Sequence, residues 1–218
     1  MNKLKQFNGS DCSLPWLLFS LGLLFAVMYP IFTYEYLFHD DWHHFSGTCP
    51  MADWFMQLGR PLGGAILCFQ FSLFHHIGDA YIARGITFIG LVLLLVAIYI
   101  FLRHEYFPEN LSALVAFGCV TLPGALVSAF WLGGGFIIFS LLASVFSVLL
   151  CQTALRKEVK DIRFYCLILT AILAEIASAL IYQTGAMMFL VFAAVTIVKT
   201  LKTDDHLVSQ NSIIYGGF

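Results

Sequence analysis

Charge is what this sequence has least of. Asp, Glu, Lys and Arg make up 11% of its 218 residues, where a water-facing domain carries about 25%, and that deficit argues against a soluble globule. Basic tracts are missing too, the formal net charge is −2, and nothing points to a nucleic-acid partner. No glycine-rich phosphate loop is present to hold a nucleotide or a nucleotide sugar. There is no internal repeat, low-complexity segment or soluble domain. Of the six cysteines, Cys119, Cys151 and Cys166 sit inside apolar runs, where cysteine acts as a small hydrophobe. Cys49 and Cys68 are placed where they could pair, which is too little for a disulfide framework.

Apolar residues fill the chain instead. They make up 60% of it, and mean hydropathy is +0.87. Runs of roughly 20 apolar residues recur, the length that crosses a bilayer core of ~30 Å. They are continuous rather than alternating, so helices are expected and barrel strands are not. The expected fold is all-α: a polytopic membrane helix bundle of about six spans, near 14–34, 80–102, 111–129, 136–154, 164–182 and 185–200. The first run passes through Met28-Tyr29-Pro30 to Tyr34-Glu35 without a small-residue cleavage site, and so reads as a retained span.

Orientation follows from the sparse cations. With six spans, Lys3, Lys5, Arg103, Arg156, Lys157, Lys160, Arg163, Lys199 and Lys202 share one side, and only Arg60 and Arg84 do not. The positive-inside rule then puts both termini in the cytoplasm and residues 35–78 outside. Treating 61–76 as a further span would put the basic loop 156–163 outside. That stretch holds Gly63, Gly64 and Gln70 and ends at His75-His76, which suits a helix lying along the interface. The chain reads as one integral membrane domain, 1–218, with 35–78 an outer loop plus interfacial helix and 201–218 a tail without assignment. Leu132-Gly133-Gly134-Gly135 and Tyr182-Gln183-Thr184-Gly185 are outward turns in this topology, and Pro123 permits a kink.

Chemistry concentrates in one loop, His39-Asp40-Asp41-Trp42-His43-His44, followed by Gly59-Arg60-Pro61. Adjacent carboxylates repel, which raises one pKa and readies a base near neutrality. Alternatively both stay ionised around a divalent cation, Mg or Mn, held by Asp40 and Asp41. Trp42 offers a flat apolar platform of the kind sugars stack on, and Arg60 a fork of donors suited to phosphate. His43 and His44 could bind phosphate or sugar, or sit at the interface as amphipathic residues do. A zinc site from His39, Asp40, His43 and His44 is awkward because adjacent histidines point apart on a regular element. A plain solvated loop at the membrane surface remains open as the simpler reading.

Asp40-Asp41-Trp42 at the start of the first outer loop, then Gly59-Arg60-Pro61-Leu62 opening a surface helix, resembles the GT-C superfamily of membrane glycosyltransferases. The likeness is closest to the polyprenyl-phosphate-dependent glucosyltransferases that decorate O-antigen, and Tyr182-Gln183 also looks like a motif of that group. It covers roughly residues 14–200. The resemblance implies a bacterial inner-membrane enzyme that moves a hexose, glucose in that group, from a polyprenyl-phosphate donor to a glycan acceptor. It nominates Asp40 and Asp41 as catalytic base or metal partner. Trp42, His43, His44, Arg60, Arg84, Tyr182 and Gln183 are the substrate-binding candidates. Such enzymes usually have more spans than six, so a short or truncated version is expected.

Two polar residues lie within spans. Glu175 is placed in the middle of the fifth, where a carboxylate costs several kcal/mol unless neutral or paired. It is either a functional group or a protonated side chain bonded between helices. Arg84, near the outer end of the second span, could snorkel outward, where it would also be able to contact lipid phosphate. Two other classes of function therefore compete with the transferase: a small transporter using Glu175 as coupling residue, and a non-catalytic membrane subunit.

Overall fold

The computed structural model of the chain describes residues 14–33, 51–73, 79–155 and 161–198. Among the described residues there is no strand, and the architecture is all-helical. In chain order the helices are α1 (Leu14–Thr33), α2 (Met51–Gln57), α3 (Pro61–Ser72), α4 (Ala80–His104), α5 (Glu109–Thr121), α6 (Pro123–Phe130), α7 (Gly135–Leu155), α8 (Ile162–Ile181) and α9 (Gln183–Val198). A 3₁₀ turn, Leu132–Gly134, joins α6 to α7.

Four of these, α1, α4, α7 and α8, are long and apolar enough to cross a membrane. At 1.5 Å per residue the 21 residues of α7 extend about 31 Å, the thickness of a hydrocarbon core. The expected span 111–129 is not a straight rod: α5 and α6 meet at 53° and make a fifth crossing only if the bent pair is taken as one. The cause is local. Leu122 precedes Pro123, whose ring disfavours helical backbone in the residue before it, and Leu122 takes φ −56, ψ 146. The sixth expected span appears as α9, shorter than the four. Among the described residues of the stretch expected to hold one surface helix there are two, α2 and α3.

Helices α4 and α7 are central, each burying half of its apolar length, while α1 and α8 bury little of theirs. Leu91, Leu95 and Phe101 of α4 pack with Leu24 and Met28 of α1, Ala116 and Val120 of α5 and Ile138 and Val145 of α7. Gly90 lets α4 approach α7: an added Cβ there would stand 3.0 Å from Ile138, the use small residues have between membrane helices. The outer faces carry Phe19, Phe25, Leu169 and Leu173, each more than half exposed. A soluble monomer rarely shows so broad an apolar surface; a lipid-facing bundle requires it.

The long helices run two ways, α4 and α7 in one direction and α1 and α8 in the other, so the molecule has two ends. The end of α1, the start of α4, the start of α7, the end of α8, the start of α9 and both short helices α2 and α3 gather at one, here called the α3 end. At the other, Glu105 Oε1 accepts from Thr196 Oγ1 at 3.0 Å and from Gln152 Nε2, tying α4, α7 and α9 together. Arg103 there bonds Glu109 at 3.2 Å. Asp161 caps α8 by accepting from Arg163 N at 2.9 Å.

Candidate functional site

Gly59-Arg60-Pro61 earns its geometry from two helix ends. Arg60 N donates to Phe55 O at 2.8 Å and Gly59 N to Met56 O at 3.0 Å, the paired bonds of a Schellman cap on α2. Gly59 has φ +71, which glycine adopts without a Cβ penalty. Pro61 then opens α3 at the position where its missing N–H is not needed. Arg60 is thus fixed as the residue between a C-cap and an N-terminus.

From there its side chain reaches Tyr182 and Gln183, the latter 123 positions away in the sequence. Arg60 Nε donates to Gln183 Oε1, and the guanidinium carbon lies 4.6 Å from the Tyr182 ring centroid, within cation–π range. Gln183 Nε2 in turn donates to Leu58 O at 3.2 Å. Behind the cluster, Phe136 meets Phe55 and Tyr182 edge to face, at 5.2 and 5.7 Å. Gly63 lets α3 touch the Ile181 carbonyl, where any Cβ would overlap. Arg60 is half-buried, and among the described residues no hydrogen bond engages its Nη1 or Nη2. What the arrangement offers is a rigid cation with donors to spare at the molecular surface.

Arg84 does not snorkel. It is 4% exposed, and Nη1 donates to Ile31 O at 3.0 Å. Ile31 lies in the last turn of α1, which leaves carbonyls unpaired and carries no basic residue of its own. The guanidinium of α4 therefore caps a neighbouring helix and meets the negative end of its dipole.

Glu175 sits on α8 opposite Ser144 of α7. Ser144 Oγ and Glu175 Oε2 are both buried, and neither makes a hydrogen bond of normal geometry. They belong to a polar seam. Ser140 and Ser178 bond each other's backbone, Ser140 Oγ to Ser178 O at 3.0 Å and Ser178 Oγ to Ser140 O at 2.8 Å, and Ser147 donates to Ala171 O at 2.8 Å. The seam was open to reading in the sequence, since 140, 144 and 147 fall on one helical face. Gln70 and Thr87, also buried and polar, and the buried indole N–H of Trp131 gave no such signal.

Of the expected site residues, Arg60, Tyr182 and Gln183 are brought together, and Arg84 and Glu175 stand apart from them. Asp40, Asp41, Trp42, His43 and His44 lie outside the described residues, as does His39. Among the described residues no three His, Cys, Asp or Glu side chains gather as metal ligands. Comparison of the chain with protein families, with curated proteins and with solved structures gave no match.

Proposed function

We propose that this chain is a glycosyltransferase of the GT-C type, embedded by six crossings in a bacterial inner membrane, that moves a hexose from a polyprenyl-phosphate donor to a glycan acceptor. One observation carries the reading: the Arg60–Tyr182–Gln183 cluster lies at the end of the bundle from which the acidic segment departs. The chain leaves α1 at Thr33 and re-enters at Met51 of α2, both at the α3 end, and Asp40 and Asp41 fall between these two points in the sequence.

In this reading the carboxylate of Asp40 or Asp41 takes the proton of the acceptor hydroxyl. The acceptor oxygen bonds to the anomeric carbon as the bond from that carbon to the phosphate oxygen breaks, inverting configuration. Lipid phosphate leaves with the electron pair, and the Nη donors of Arg60 meet its growing charge. Trp42 stacks on the sugar, and His43 and His44 flank it at the interface. A divalent ion held by the acidic pair would add charge stabilisation, and no step here depends on it.

Cys68 supports the outward placing of this end. It is disulfide-bonded, and Cys119, Cys151 and Cys166 are free. A disulfide suits an oxidising compartment. Transfer of labelled glucose from polyprenyl-phosphate glucose by membranes holding Asp40→Asn or Asp41→Asn tests the assignment. Loss in at least one variant at normal expression is expected, and full activity in both refutes it.

The Glu175–Ser144 contact favours a second reading, a transporter that couples through Glu175. Glu175→Gln separates the two: sugar transfer persists within about twofold under the first, and ion-coupled uptake into vesicles is lost under the second.

A further inference from the structure

The α3 end holds a second polar site, at the opposite end of α3 from Arg60. Gln70 is 1% exposed, and neither its Nε2 nor its Oε1 has a hydrogen-bond partner among the described residues. Its amide lies where a side chain of Gly135 would be, and Thr87 Oγ1 is 3.0 Å from that same point. Thr87 is equally buried and equally unpartnered. Gly135 is the first residue of α7, whose opening turn presents backbone N–H groups and the positive end of a 21-residue dipole. Trp131 Nε1, just ahead of the turn into α7, is a further buried donor without a partner. Native interiors leave few such groups unsatisfied, and here several converge on one helix N-terminus.

Below them runs an apolar groove of about 530 Å³ between α4 and α7. Phe139, Leu142, Phe146 and Leu149 line it from α7. With Gly135 they form the stripe i, i+4, i+7, i+11, i+14 down one helix face, so the donors stand at the head of the groove. Leu93 and Ile100 of α4 and Phe146 are exposed along it, which opens it sideways to whatever surrounds the bundle. Because α7 matches the hydrocarbon thickness, Gly135 falls at its edge, the depth at which lipid phosphates begin.

We propose that this is a binding site for a bilayer phospholipid, with one acyl chain in the α4–α7 groove and the phosphodiester at Gln70, Thr87 and the start of α7. The donors are an amide, a hydroxyl and backbone N–H groups, all neutral, and a helix end supplies about half a positive charge. That set suits the single charge of a phosphodiester better than a phosphate dianion. The site is independent of sugar transfer.

Native mass spectrometry of the purified full chain with added phosphatidylglycerol, or with diacylglycerol, tests it. One phosphatidylglycerol is expected to stay bound, and diacylglycerol at least fivefold less. The Gln70→Leu/Thr87→Val double variant, and separately Ala143→Trp to block the groove, should lower retention at least fivefold. Leu114→Trp, in the apolar groove between α1 and α5, should not. The double variant should also melt higher than the parent in delipidated detergent, since it removes orphaned polar groups. Thr87→Val alone gives the same signs if the double variant does not fold. Retention unchanged by these substitutions, equal retention of diacylglycerol, or equal loss in Leu114→Trp overturns the proposal.

Discussion

Arg60 shows how much one side chain's role depends on its neighbours' backbone. Gly59 stops α2, Pro61 starts α3, and the guanidinium between them is locked by Gln183 and stacked on Tyr182. Lysine would keep the charge and lose the planar fork. Arg60→Ala is therefore expected to cut glucose transfer by about 10²-fold, the usual cost of losing one donor to developing charge. Arg60→Lys should recover only part of it, about tenfold below the parent. Steady-state rates on both variants check this, and a fully active Arg60→Lys would show that charge alone matters. The sequence made Gly-Arg-Pro visible because glycine and proline mark backbone geometry. It could not reveal Gln70 with Thr87, since their meeting at Gly135 depends on how three helices pack. The bond from Arg84 to the Ile31 carbonyl was hidden for a related reason, since backbone ends leave no mark in composition.

At the scale of elements, hydropathy runs located the long helices well, because a bilayer demands length and apolarity of each one separately. The 53° bend at Pro123 shows where that logic stops, since a run can be apolar throughout and still break at one residue. Contacts between helices are set instead by small residues. A Cβ on Gly63 would overlap the Ile181 carbonyl, whereas one on Gly118 would meet nothing within 4 Å. Gly63→Ala should cost about 1–3 kcal/mol, because backbone on both sides must shift. Gly118→Ala, on an open face of α5, should be neutral or stabilising by up to about 1 kcal/mol. Thermal unfolding in detergent distinguishes them, and equal melting temperatures would refute the close approach of α3 to α8. Ser140→Ala should loosen the α7–α8 seam by about 0.6 kcal/mol, typical of such bonds between membrane helices. The same measurement reads it.

For the whole molecule the issue is which end faces out. The proposed orientation, with the basic segment around Lys157 inside and the α3 end outside, rests on the positive-inside rule, and the disulfide at Cys68 is in keeping with it. With Cys12, Cys119, Cys151 and Cys166 replaced by alanine, a cysteine at Ser46 should react with a membrane-impermeant maleimide in intact cells, above the labelling of that background without it. One at Lys157 should react only after permeabilisation. The reverse pattern would invert the topology and remove the acidic segment from the outer surface.

The most direct test of the central claim is sugar transfer by the isolated protein. Purified chain in liposomes, given polyprenyl-phosphate glucose and a glycan acceptor, is predicted to release lipid phosphate and glucosylate the acceptor. Arg60→Ala should slow both by about 10²-fold, and one of Asp40→Asn or Asp41→Asn should abolish both. Release and transfer that persist in all three variants, or a folded parent protein that transfers nothing, would contradict the account.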